Sequence, residues 1–137
     1  MVLGITILVF VLSFPKETSS APEVIVAIPK KIEWTFDTFV SHLAKKYSQD
    51  EVLVRKIIKC ESQYKKGNTH ENLDKDGNVW SIDWGYWQIN DYWHLKDATK
   101  QGYDIRYNWQ HNLEFGFKLM KQQGTRPWSA SKHCWNK

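Results

Sequence analysis

Glu61 and Asp83 keep contrasting company. Glu61 follows an apolar run that includes Val52, Val54, Ile57 and Ile58 and directly succeeds a cysteine, whereas Asp83 sits among Asn78, Ser81 and Gln88. Apolar surroundings raise a carboxyl pKa and polar ones keep the group ionised, so the two acids are expected to titrate apart. A protonated carboxyl near an ionised one is the minimum kit for cutting a glycosidic bond. The first gives a proton to the leaving oxygen, and the second serves as base, nucleophile or electrostatic stabiliser. Spacing alone leaves a plainer alternative open, in which Glu61 is a solvated helix carboxylate and Asp83 an ordinary loop acid.

Presenting such a pair takes a helix for one acid and a turn-rich segment for the other. Phe36, Phe39, Val40, Leu43, Ala44 and Tyr47 recur at helical spacing, with Thr35 or Asp37 available at the start. A second helix is predicted to open on Ser48-Gln49-Asp50-Glu51, with Ser48 and Glu51 as a capping box, and to run through Cys60 to Glu61. Glu61 then lies near a helix C-terminus, where the macrodipole disfavours an anion. Lys65 to Asp83 is polar and rich in Gly, Asn and Asp, and reads as a long loop or a weak hairpin around Asp76-Gly77. Trp84 to Asn90 reads as a strand passing into a helix. A clear helix follows from its cap Asn108 to Gln123, with Trp109, Leu113, Phe117 and Met120 on one side and Gly124 as its stop. The fold class predicted is mainly α, an α+β arrangement with a small loop or hairpin lobe and a cleft between lobes.

Length and composition bound the rest. Val2 to Phe14 is apolar and uncharged, and at about 13 residues it suits a signal-peptide core better than a bilayer span of about 20. Residues 1–21 are therefore expected to be a signal peptide or a short membrane anchor, and the proline-containing stretch 22–33 a linker with room for a short strand at Val24 to Ile28. Residues 34–137 remain as one domain. An exported domain of this size is expected to oxidise its two cysteines, Cys60 and Cys134, which can pair in only one way. That bond would close a loop worth about 4 to 4.5 kcal/mol in the chain-entropy model. Net charge is +4, which favours an anionic partner, yet no Lys/Arg run exceeds two residues and no nucleic-acid motif appears. Nucleic acid is thus excluded as the expected partner, no cofactor is called for, and the chain is expected to act as a monomer.

Three ordered motifs carry a family resemblance. Cys60-Glu61-Ser62-Gln63-Tyr64 resembles the Glu-Ser-x-aromatic signature of the lysozyme superfamily, which includes the lytic transglycosylases. Ser81-Ile82-Asp83-Trp84-Gly85-Tyr86-Trp87-Gln88-Ile89-Asn90 resembles the Ser-x-Asp-aromatic-Gly-x-x-Gln-Ile-Asn block of animal-type lysozymes, whose Gly-x-x-Gln-Ile core the transglycosylases share. Asn112-Leu113-Glu114-Phe115-Gly116 is similar to the start of a later transglycosylase helix. The resemblance implies a lysozyme-like fold acting outside the cytoplasm on peptidoglycan, a muramidase cutting the β-1,4 bond between N-acetylmuramic acid and N-acetylglucosamine. It makes Glu61 the catalytic acid and Asp83 the second carboxylate, and offers Ser62, Trp84, Gly85, Trp87, Gln88 and Asn90 as substrate contacts. Trp128 is expected to pack near Glu61 and help keep it protonated, by analogy with the lysozyme case. Leu119 stands where transglycosylases usually carry Tyr, which with Asp83 tilts the expected reaction toward hydrolysis. The Asn112 to Gly116 motif tilts it back toward ring closure to a 1,6-anhydro end.

Other readings compete for some of these residues. Trp80, Trp84, Trp87, Trp93 and Trp109 are candidates to crowd the cleft, since flat indoles with an N–H suit sugar faces, or else to fill the core. Asn72, Asp74, Asp76 and Asp83, with Gly77 at the turn, also have the spacing of a calcium loop. A polar turn is the simpler account. His70, His94, His111 and His133 show no zinc spacing. A wall-binding module without catalysis is the alternative to an enzyme, and the retained Glu61 and Asp83 argue for the enzyme.

Overall fold

The computed structural model describes residues 33–137, which form one compact unit. The expected export segment, the short strand considered for residues 24–28 and the linker, apart from Glu33, lie outside the described residues. Helix α1 (Phe36–Tyr47) and helix α2 (Glu51–Ser62) form the first corner. Thr35 caps α1 by accepting from Thr38 N, while Ser48 ends it in the left-handed region at φ 54°. That conformation corrects the expected capping box: Ser48 closes one helix and is not free to open the next. Asp50 caps α2 instead, its carboxylate accepting from Val52 N at 2.9 Å and from Leu53 N at 3.3 Å. Glu51 is released to bind Ser41 and Arg55, and Arg55 reaches Asp37, tying the two helices together.

The polar segment is a hairpin. Strands β1 (Thr69–Leu73), β2 (Val79–Trp84) and the short β3 (Ile89–Asn90) make one antiparallel sheet in that order. Asp74 builds the turn, its carboxylate accepting from Asp76 N at 2.9 Å and from Asn78 N at 2.8 Å, while Gly77 takes φ 83°. Asp83 lies on the central strand, opposite His70 on one side and Asn90 on the other. The stretch after Trp84 turns back at once, with Gly85 and Gln88 both at positive φ, and then enters helix α3 (Asp91–Lys100) through the cap Asn90.

Helix α4 (Trp109–Gln123) is the core. Asn112, Leu113, Phe115, Gly116, Phe117, Leu119 and Met120 are all buried on it. Gly116 faces the indole of Trp87 so closely that a Cβ there would lie 2.1 Å from the ring. Trp87 is fully buried; its Nε1 donates to Leu113 O, and its own carbonyl accepts from Trp128 Nε1 at 2.9 Å. A 3₁₀ segment (Arg126–Ser131) and the short helix α5 (Lys132–Trp135) complete the chain. The Cys60–Cys134 disulfide joins α5 to the end of α2, the one pairing two cysteines allow. The architecture is the mainly helical fold with a small hairpin lobe that the sequence predicts. Among the described residues no helix is long and apolar enough to cross a membrane.

Candidate active site

The last turn of α2 carries Glu61, and the middle strand of the hairpin lobe carries Asp83. The two acids line one cleft of about 430 Å³ together with Gln88, Asn90, Trp93, Trp128 and Ser131. Burial pushes the Glu61 carboxyl above its ordinary range, and the negative charge of Asp83 acts in the same direction. A hydrogen bond from Ser131 Oγ to Glu61 Oε1 works against both. His94 and Arg126 also line the cleft, and burial lowers the His94 pKa against the opposing pull of Asp97.

Asp83 is held by a single amide. Asn90 Nδ2 donates to Asp83 Oδ1 and to Ser81 Oγ, each at 2.8 Å, while Asn90 Oδ1 accepts from Trp93 N to cap α3. The next residue, Asp91, accepts from Ile82 N at 2.9 Å and from Trp84 Nε1 at 3.1 Å, so the strand bearing Asp83 is clamped to the first turn of α3. Gln88 spends its amide nitrogen on two backbone carbonyls, Gly85 O at 2.8 Å and Asn68 O at 3.1 Å, which holds the turn that leads into the cleft.

The remaining expected contacts lie elsewhere. Ser62 is 2 % exposed and donates to Ile58 O inside the helix pair, because one step along a helix turns a side chain away from its neighbour's direction. Trp87 is core. Trp84 and Gly85 line a separate depression of about 310 Å³ with Asn68, Arg106, Tyr107 and Trp109. Gly85 serves packing: at φ 70° a Cβ would lie 2.6 Å from the Asn112 amide, which donates to Trp84 O and Ile105 O. Of the five tryptophans considered for the cleft, Trp93 lines it and is 67 % exposed; Trp80 stacks edge-on with Tyr92 outside the cleft lining. Trp128 lines the same cleft as Glu61 and lies 4.5 Å from Trp87 between ring centroids.

The calcium reading of Asn72, Asp74, Asp76 and Asp83 gives way to the hairpin. The Asp74 carboxylate is taken up by the turn and Asp83 is committed to Asn90 on the central strand. Among the described residues no three His, Cys, Asp or Glu side chains gather as a metal site would need.

Ser131 is the residue that sequence reasoning missed. The signal that could have found it is the cysteine pairing, since a bridge from Cys134 to Cys60 carries the residue one turn before Cys134 toward Glu61. A larger hollow, about 630 Å³, lies beside that bridge between Lys56, Lys59, Tyr64, Trp135 and Lys137. Among the described residues, no Asp or Glu side chain lines it. A half-buried acid biased toward protonation, facing a second carboxylate across a groove edged by indoles, can protonate a glycosidic oxygen and steady the cation left behind.

A model of the family described as Transglycosylase SLT domain matches residues 39–130, from α1 into the 3₁₀ segment. No match comes from the curated proteins or from the solved structures.

Proposed function

The chain belongs to the transglycosylase SLT domain family, whose members cleave peptidoglycan glycan strands, and we propose that it cuts the β-1,4 bond between N-acetylmuramic acid and N-acetylglucosamine with Glu61 as proton donor. The observation that carries this reading is the shared cleft: Glu61 and Asp83 come from separate lobes to line one groove, and burial favours the protonated form of Glu61. Glu61 protonates the glycosidic oxygen as the bond to C1 breaks, and positive charge develops on C1 and the ring oxygen. Asp83, fixed by Asn90, steadies that charge until water adds to C1 and returns a proton to Glu61. Gln88 and Asn90 shape the floor, and Trp93 and Trp128 offer indole surface to the sugar faces.

A second reading concerns the product alone. The family match favours closure by the muramic acid 6-hydroxyl onto C1, in which Glu61 as carboxylate takes the hydroxyl proton and a 1,6-anhydro end results. The second carboxylate in the cleft favours hydrolysis, and hydrolysis is the route proposed.

The setting follows from the same reading. Residues 1–21 direct export or provide a short anchor, 22–33 act as tether, and the domain works as a monomer on the wall, where an oxidising surrounding keeps Cys60 and Cys134 joined.

The deciding experiment incubates the purified full chain and its Glu61→Gln variant with peptidoglycan and weighs the released fragments. Wild type is expected to release disaccharide-peptide fragments, and the variant, still folded, to be slower by at least about 100-fold. Near-normal turnover by Glu61→Gln refutes the assignment.

A further inference from the structure

Three partners converge on one hydroxyl beside the acid. Ser131 Oγ bonds Glu61 Oε1, lies 3.0 Å from Trp135 Nε1 and 3.1 Å from Trp128 O. A hydroxyl has one proton to give and two lone pairs, an indole N–H can only donate, and a carbonyl can only accept. Trp135 therefore occupies a lone pair of Ser131, and the hydroxyl proton has two acceptors within reach, Glu61 Oε1 and Trp128 O. The Trp135 N–H also lies 3.1 Å from Trp128 O and serves that carbonyl itself. Glu61 Oε1 is the nearer of the two acceptors and is shared with no other donor among the described residues, so the Ser131 proton goes to Glu61, and donation from Trp135 polarises the hydroxyl into a better donor.

We propose that Ser131 is a positioning residue for the acid: its donated hydrogen bond fixes Oε1 as the carbonyl oxygen of Glu61, assigns the transferable proton to Oε2, and tightens as that proton leaves. The inference rests on the reading of Glu61 as proton donor. Loss of the proton from Oε2 spreads negative charge onto Oε1, and a hydrogen bond to an ionised acceptor is roughly twice as strong as one to a neutral acceptor. The bond therefore stabilises the state toward which proton transfer runs more than the state it leaves, which is the condition for lowering a barrier. Ser131 and Trp135 are held to Glu61 by the chain itself, since Cys60 precedes Glu61, Cys134 precedes Trp135, and the two cysteines are bonded.

The test is a carbon-13 NMR titration of the Glu61 carboxyl in the full-length oxidised chain, paired with the pH dependence of wall cleavage. The other charged or titratable groups facing the cleft, Asp83 from β2, His94 from α3 and Arg126 from the 3₁₀ segment, are the same in every variant compared. Removing a donor to the carboxylate in Ser131→Ala is expected to move the Glu61 midpoint upward, carry the alkaline limb of the rate profile with it, and lower kcat roughly tenfold. Ser131→Thr, which keeps the hydroxyl, restores both midpoint and rate. Trp135→Phe keeps the ring, removes the N–H that orients Ser131, and shifts the midpoint the same way to a smaller extent, so the idea is read even if Ser131→Ala folds poorly. A midpoint that stays put or falls in Ser131→Ala overturns the proposal, because a fall would mean that Glu61 donates to Ser131; so does a Thr variant that behaves like Ala. The titration needs no turnover, so its failure is separate from that of the acid assignment, which Glu61→Gln decides.

Discussion

Asn90 joins the catalytic question to the stability of a helix: the same side chain donates to Asp83 Oδ1 at 2.8 Å and caps α3 through Trp93 N at 3.3 Å. The second carboxylate is therefore aimed by the residue that starts α3. Its orientation is set by contacts within the fold.

That placement makes the product a matter of measurement. Hydrolysis leaves a reducing end, and the anhydro product is lighter by one water, so mass spectrometry of the digest separates them. Reducing ends are expected from the wild type, with Asp83→Asn losing most of the activity. Dominant anhydro ends, together with an Asp83→Asn variant that stays active, would reduce Asp83 to a structural role in the sheet and leave Glu61 as acid and then base.

Rate and stability both depend on the protonated form of Glu61. Its folded-state pKa is raised, chiefly by burial, so the stability it contributes is present below its unfolded pKa and is lost as pH rises through the folded value. Catalysis needs the protonated acid, so cleavage should also fall on the alkaline side as Glu61 ionises. At neutral pH the Glu61→Gln variant is expected to melt above the wild type, and the gap should close on acidification into the ordinary carboxyl range. Melting curves across pH check this, and a gap that widens in acid contradicts the burial assigned to Glu61.

The Cys60–Cys134 bond should be intact in natively exported protein, with no thiol open to alkylation unless a reductant is added. Cys134→Ser is expected to melt several degrees lower. It should also lose activity beyond what the melting shift accounts for, because α5 carries Trp135 and follows directly on Ser131. Full activity in a reduced, folded chain would show that the staple serves stability alone.

Gly116→Ala tests the centre of the core. The added Cβ would meet the Trp87 ring at 2.1 Å, inside any contact distance, and the ring is fixed by its bond to Leu113 O. Overpacking of this kind costs about 1 to 3 kcal/mol, so urea or thermal unfolding should show a clearly weaker domain. An unchanged midpoint would mean that Trp87 has room to move.

The legible parts of the molecule were those set by local chemistry. Helix α4 announced itself through Asn108, a regular apolar face and Gly124, and two cysteines left one pairing. Helix α3 was hidden because only Ala98 is buried on it, so it has almost no apolar periodicity, although Asn90 followed by Asp91 is a readable start. Motif residues were legible in identity but not in direction. Ser62 and Trp87 belong to the motifs, yet helix phase and the Gly116 notch turn them into the core. Ser131 escaped because its neighbour in space, Glu61, is remote in sequence, and only the pairing of Cys134 with Cys60 brings the tail to it.

The disulfide also has a topological consequence. The loop it closes, from residue 60 to residue 134, contains Asp83, Gln88, Asn90, Trp93, Trp128 and Ser131. Any single peptide-bond cut within that loop, for example by a protease at the exposed turn around Lys75 and Gly77, yields two polypeptides that remain one covalent molecule. Glu61 leaves on one fragment and Ser131 on the other, and the bridge keeps them adjacent through Cys60 and Cys134. A nick that would release half the cleft from an unbridged chain leaves both halves covalently joined here.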